Sequence, residues 1–164
     1  MLPDWAVVSA DRRAHIARVA GLLAQWATAL AVPAIEAERW RRAAWLHDAL
    51  RDAPAATELD HGPMCADRLA RDGERDQGVL DAVRYHSLGY AGWDSVGRML
   101  YLADYLEPGR RFDAALRTAL RERMPGEHGA VLREVARRRI EWILRSSWGL
   151  KPETVAFWNA LVSA

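Results

Sequence analysis

Six residues of this chain have types and spacing that can do chemistry: His15, the adjacent pair His47-Asp48, His61, His86 and Asp104. Asp104 is the most telling. It interrupts the apolar run Arg98-Met99-Leu100-Tyr101-Leu102-Ala103-Asp104-Tyr105-Leu106, where helical spacing gives it one face with Leu100, Tyr101 and Pro108. A carboxylate on a buried face costs several kcal/mol, on the order stated for buried ions, unless a cation or several donors meet it. Two readings are open at this stage: a structural ion pair with an arginine, or a metal ligand. His47 and Asp48 follow a second apolar stretch, Ala43-Ala44-Trp45-Leu46. Successive helical side chains diverge by about 100°, so the two can flank one point. A lone buried histidine is more often hydrogen-bonded to a carbonyl than a ligand. Four of them with two carboxylates shift that balance, and only His128, in Gly126-Glu127-His128-Gly129, reads as an ordinary exposed residue. Nitrogen and oxygen donors without thiolate suit iron, manganese, cobalt or zinc. Six ligands exceed what one catalytic metal holds while keeping an open position. Two metals sharing one carboxylate use them naturally, with Asp48 the best-placed bridge, provided the fold brings the six together.

The elements that must do so read as helices throughout. Ser9 or Asp11 caps a first helix to about Leu30, and Pro33 suits the opening turn of a second, Ala34 to about Leu50. Asp60 or Gly62 opens a third that stops near Gly73. Asp76 starts a fourth, closed by Ser87-Leu88-Gly89 with the glycine placed for a left-handed turn. Asp94 caps a fifth that Pro108-Gly109 ends. Asp113 to Met124 and Glu127 to Trp148 carry apolar residues at helical spacing, and Pro152 opens a last helix through Phe157, Trp158 and Leu161. No strand alternation, repeat or low-complexity linker appears. The expectation is a single all-α domain, a helical bundle over residues 1–164.

Composition narrows the partners. The chain is 51% hydrophobic and 27% charged, a globular mixture, and its net charge of +1 offers no general field for nucleic acid or an anionic membrane. Lys151 is the only lysine, so arginine supplies nearly all the positive charge, in planar forks suited to phosphate. Cys65 is the only cysteine, which excludes an intrachain disulfide and a cysteine-based zinc site. The first ten residues lack the basic start and apolar run of a secretory leader, and Ala20 to Ile35, the most apolar stretch, is too short to span a bilayer. The expected compartment is the cytoplasm. A homodimer is compatible with the sequence but not required by it.

The order His15, His47-Asp48, His61, His86, Asp104 resembles that of HD-domain metal-dependent phosphohydrolases. Ala82-Val83-Arg84-Tyr85-His86-Ser87-Leu88-Gly89 and Tyr101-Leu102-Ala103-Asp104-Tyr105-Leu106-Glu107-Pro108-Gly109-Arg110 are similar to the YqeK-type branch, which contains symmetric diadenosine tetraphosphatases. His61-Gly62-Pro63, Pro152-Glu153-Thr154 and Asn159-Ala160-Leu161 extend the likeness over nearly the whole chain. The resemblance implies two divalent metals, iron above manganese, cobalt or zinc. It implies that His15, His47, Asp48 and Asp104 hold one ion and that His61 and His86 hold the other, with Asp48 bridging. Two features depart from the pattern. Arg51 stands where the family has lysine, replacing a transferable proton by a fixed fork. The connection from Asp48 to His61 is also short and lacks the extra helix of the relatives.

The reaction so implied is hydrolysis of a nucleotide phosphoanhydride by water activated between the metals, most simply diadenosine tetraphosphate to two ADP. Asp48 and Arg51 are the expected catalytic residues. Arg51, Arg84, Ser87 and Arg110 are the expected substrate contacts. Three of them have a plainer alternative: a helical ion pair with Asp48 for Arg51, a solvated face for Arg84, a helix cap for Ser87. The loop Gly89-Tyr90-Ala91-Gly92-Trp93 offers an aromatic face for adenine, although Trp93 suits a core better, and Arg137-Arg138-Arg139 reads as a solvated helix surface. Two other functions fit the same residues: a di-iron oxygenase, and a catalytically weak nucleotide sensor suggested by the missing lysine.

Overall fold

In the computed structural model, which describes residues 1–163, helices follow one another as α1 (Ala10–Ala29), α2 (Ala34–Leu46), α3 (His61–Arg71), α4 (Gln77–Tyr85), α5 (Ser95–Leu106), α6 (Ala114–Glu122), α7 (His128–Arg145) and α8 (Pro152–Val162). No strand occurs among the described residues. Short polar side chains start several of them: Ser9 accepts from the Arg12 N–H, Asp76 from Val79 and Asp94 from Val96. Each such cap satisfies one of the otherwise unpaired N–H groups of a first helical turn, about 1 kcal/mol apiece.

Helix α5 is the axis of the bundle. Every residue from Met99 to Leu106 is buried, and α1, α2, α4, α6 and α7 all pack on it. Leu23 and Trp26 of α1, Trp40 of α2, Val79 of α4 and Leu100, Leu102 and Leu106 of α5 form one continuous core. A helix buried on all sides has no solvated face for a carboxylate, so Asp104 points into the protein wherever it points. Phe157 meets Trp93 and Tyr101 edge to face, Trp93 and Tyr101 are tilted against each other, and the three, with centroids 5.2–5.6 Å apart, lock α8 over the loop after α4. Trp93 is therefore core and not an adenine face. Among the helices of the described residues, none is long and apolar enough to cross a membrane.

Two glycines set the spacing of the functional residues. A Cβ on Gly62 would lie 2.8 Å from the Arg84 carbonyl oxygen, so only glycine lets the start of α3 touch the end of α4 and brings His61 beside His86. Gly89, at φ +89°, turns the chain away three residues after His86, and Phe157 occupies the space a side chain would need. Two helix ends fall earlier than their apolar patterns predict. Helix α2 stops at Leu46 and not Leu50, because the chain turns at His47 to Leu50. The thiol of Cys65 meets the freed Leu46 carbonyl at 3.1 Å, and burial pushes its pKa up to about 12, so it stays a donor. Helix α7 stops at Arg145, where Ser147 takes a left-handed conformation.

Candidate metal centre

The six predicted ligands arrive from five places: His15 from α1, His47 and Asp48 from the end of α2, His61 from the first turn of α3, His86 from the end of α4, and Asp104 from α5. All are at most 5% exposed. They fall into two groups of donors within 4.8 Å of one another: His15, His47 and Asp104, and Asp48, His61 and His86. Asp48 joins the groups. Its Oδ1 lies 3.1 Å from His61 Nε2 and 3.3 Å from His86 Nε2, while Oδ2 lies 3.6 Å from the Nε2 atoms of both His15 and His47.

The outer ring nitrogens say which atoms face inward. Nδ1 of His47 bonds the Ala44 carbonyl at 2.7 Å, that of His61 the Glu58 carbonyl at 2.6 Å, and that of His86 the Val83 carbonyl at 2.8 Å. Each acceptor lies three residues before its histidine. Nδ1 of His15 meets Oε1 of Glu107 at 3.2 Å. These acceptors on Nδ1 turn the Nε2 atoms inward, the arrangement of the supporting contacts of metal-bound histidine. The Nε2 atoms of His61 and His86 stand 3.0 Å apart, and those of His15 and His47 stand 3.4 Å apart. Each pair also has a carboxylate oxygen beside it, Asp104 Oδ1 at 3.2 Å from His15 and Asp48 Oδ1 at 3.1 and 3.3 Å from His61 and His86. With metal–nitrogen bonds near 2.1 Å, neighbouring ligands on one ion are separated by about 3.0–3.4 Å. The donor set therefore fits divalent metal.

Charge around the cluster is compensated in detail. Burial alone would raise the pKa of Asp48 and Asp104, but the neighbouring imidazoles and, for Asp104, the guanidinium groups of Arg110 and Arg139 hold both well below the usual carboxylate range. Arg12 Nη1 donates to Asp48 Oδ2 at 2.7 Å, Arg110 to Asp104 Oδ1 at 2.7 Å and Arg139 to Asp104 Oδ2 at 3.0 Å. A carboxylate oxygen carries two lone pairs, so these donors leave room for a cation. Glu107 is only 2% exposed. Burial would raise its pKa, but His15, Arg18 and the Gly109 N–H together hold it at about 2, a permanent anchor for His15.

The sequence had offered Glu107 only as part of a motif. Arg12 and Arg139 it missed. Arg139 is a correction: Arg137 pairs with Glu141 and Arg138 with Glu134 along their own helix, but Arg139 turns inward to Asp104, to the carbonyls of His86 and Ser87 at 3.3 Å, and over the Tyr101 ring. A cavity of about 430 Å³ opens on the cluster and is lined by Arg51, Ser87 and Arg110, as well as by Asp48, His61 and Asp104. Arg84 is the second correction, since it pairs with Asp67 of α3 and does not line that cavity. Arg51 is bound neither to Asp48 nor to Asp52; it donates to the Glu58 carbonyl at 2.8 Å, the same oxygen that orients His61.

Metal-free protein should have a stability maximum near pH 6.5. Burial lowers the pKa of His47 from 6.5 to about 4, so between these values the unfolded chain binds a proton that the folded chain refuses, and stability falls as pH drops. The lowered carboxylates add to that loss at lower pH. His15 runs the other way: burial opposes its charge, but Asp104 and Glu107 outweigh burial and raise its pKa. Its contribution is complete below 6.5 and lost as pH rises through the raised value. Urea melts in chelator measure the profile, and stability that keeps climbing into the alkaline range would contradict the His15 contacts.

The HD-domain family model matches residues 12–109, a stretch that holds all six candidate ligands and Glu107. The chain belongs to the HD-domain family. This HD domain is 30% identical over 107 residues to the symmetrical bis(5'-nucleosyl)-tetraphosphatase of Bacillus subtilis, and 30% identical over 108 residues to the protein of that name from Halalkalibacterium halodurans. The matches cover 65% and 64% of this chain, and the chain spans 56% of the length of each of these curated relatives. In fold it is similar to the crystal structure of a predicted HD superfamily hydrolase involved in NAD metabolism from Clostridium acetobutylicum, with a TM-score of 0.80, 22% identity and coverage of 95% of this chain and 91% of that one. Helices α6 to α8 lie beyond the stretch matched by the family model.

Proposed function

We propose that this HD domain hydrolyses a phosphoanhydride of a nucleotide, with diadenosine tetraphosphate as the preferred substrate and two ADP as products. The reading rests on one observation: two His/Asp triads joined by Asp48 open into a cavity walled by arginine. The names of the curated relatives support the choice of substrate. We assign His15, His47 and Asp104 to one metal and His61 and His86 to the other, with Asp48 between them, and iron as the metal. When bound, such a pair supplies a water-derived nucleophile at neutral pH and neutralises charge on the phosphoryl oxygens.

The chain's own residues do the rest. The Nδ1 partners fix the orientation of the four imidazoles, so their Nε2 atoms already face the cluster. Arg51 and Arg110 reach into the cavity as fixed cations for the polyphosphate, and the Ser87 hydroxyl stands beside His86 to orient a phosphate oxygen. Arginine keeps its proton, so Arg51 acts by charge and the departing ADP leaves as an anion. Attack on an inner phosphorus breaks the central P–O–P bond, and the water oxygen ends on one of the two ADP molecules.

Product analysis under anaerobic conditions tests this reading: metal-loaded protein with diadenosine tetraphosphate gives ADP alone. ATP with AMP would contradict symmetric attack, and oxygen consumption without nucleotide cleavage would assign the site to an oxygenase. Arg51→Ala should raise KM about ten- to a hundredfold, the range of a charged hydrogen bond of 1.5–3 kcal/mol, with metal content retained. Arg84→Ala should leave KM unchanged.

A further inference from the structure

We infer that the outer wall of the metal cavity, built by Trp142, Trp148 and Phe112, is a stacking platform for the nucleobase of the substrate. The inference rests on the nucleotide reading above and adds to it the residues that bind the base.

Helix α7 carries the argument. Arg139 bonds Asp104, so its face of α7 is turned to the metal centre. Trp142 and Arg145 follow at positions three and six residues on, and a helix rises about 5 Å per turn, so the indole stands one turn outward from the residue that fixes a candidate ligand. Ser147, at φ +58°, then folds the chain back: the Trp148 N–H bonds the Ile143 carbonyl at 3.2 Å, and the two indoles meet edge to face with centroids 5.1 Å apart. All three aromatic rings line the same cavity as Asp48 and Asp104. They are also among the most exposed large apolar side chains of the protein, Trp142 at 57% and Trp148 and Phe112 at 60% each. An edge-to-face pair leaves at least one face of each ring uncovered by the other, and Trp93, in the loop that the sequence offered for adenine, is sealed in the core.

Arginines predominate among the charged residues that share the cavity with the platform and the metal donors. Arg117 is 2% exposed and lies between the Tyr105 and Phe112 rings, with its carbon 3.8 and 4.1 Å from their centroids. It donates to the Tyr105 and Phe112 carbonyls and pairs with no carboxylate among the described residues. Arg12, Arg51, Arg110 and Arg139 line the same cavity and add positive charge on its metal side. Metal donors, arginines and exposed aromatic rings in one cavity match the scissile phosphate, the remaining phosphate and the base. Aromatic stacking with arginine is how proteins hold nucleobases without reading their edges, so ADP and GDP should bind alike.

Equilibrium binding of ADP and of inorganic pyrophosphate to metal-loaded protein tests the platform without requiring catalysis. Trp148→Ala and Trp142→Ala should each weaken ADP binding about tenfold or more and leave pyrophosphate unchanged, while Trp148→Phe retains most of the ADP affinity. Circular dichroism and metal content of each variant separate this loss from misfolding. Equal weakening of both probes, no weakening of either, or a dimer in sedimentation that Trp142→Ala dissociates would overturn the inference. If diadenosine tetraphosphate is not cleaved but the ADP-specific loss is observed, the platform stands and the proposed substrate falls.

Discussion

Asp48→Ala leaves the protein with at most one bound metal in place of two and lowers turnover by about a thousandfold or more. The expectation follows from how the ligands divide. Without Asp48, His61 and His86 are two donors alone, too few for a stable site, whereas His15, His47 and Asp104 remain three. The metal beside His86 is lost and the other is weakened. Losing several kcal/mol of charge stabilisation at the reacting phosphate corresponds to about three or more powers of ten in rate. Arg12 would also lose its partner, so Asp48→Asn, which keeps the side-chain shape, is the cleaner companion variant. Metal analysis beside circular dichroism distinguishes a vacated site from an unfolded chain. Full metal content in both variants would remove Asp48 from the centre.

Arg139→Ala should lower stability by about 3–5 kcal/mol and metal affinity by roughly ten- to a hundredfold. The guanidinium serves Asp104 Oδ2 and the carbonyls at the end of α4 at once, tying α5 and α7 to the segment that carries His86. Truncation leaves the buried carboxylate with one fewer donor and frees it to turn. Arg139→Lys restores the charge without the fork and should recover only part of the loss, because one ammonium cannot span three acceptors in that geometry. Arg137→Ala provides the contrast: its partner Glu141 is an exposed neighbour on the same helix, and such pairs contribute under about 1 kcal/mol. Urea midpoints and metal titrations of the three variants check the ordering, and equal effects at positions 137 and 139 would contradict it.

Arg139 also shows where a sequence stops being legible. Three consecutive arginines diverge by about 100° each, so one of them can face inward, but which one depends on the rotation of α7 against α5. That rotation is set by Val131, Leu132, Val135 and Ala136 packing on the core, a tertiary fact. The six candidate ligands were readable because histidine and aspartate beside apolar runs are costly unless used. Their Nδ1 partners were not: a carbonyl three residues upstream exists for every residue, and it becomes an acceptor only where the helix starts or ends, as at His47, His61 and His86. Glu107 sat in plain view three residues after Asp104, but its role depends on α1 delivering His15 to it across 92 positions. Arg84 misled because nearness in sequence to His86 says nothing about direction, and two helical steps, about 200°, turn it to Asp67. The tryptophans divide in the same way. Composition counts eight, and only packing separates Trp93 in the core from Trp142 and Trp148 on the cavity wall.

The most direct measurement is the anomalous scattering of a crystal of the metal-loaded protein, collected at the absorption edge of iron and of competing metals. The predicted result is two ions per chain, one among His15, His47 and Asp104 and one between His61 and His86, with the carboxylate of Asp48 touching both and the edge assigning iron. A single ion, or density empty of metal with Arg110 and Arg139 still closed on Asp104, would contradict a dinuclear centre.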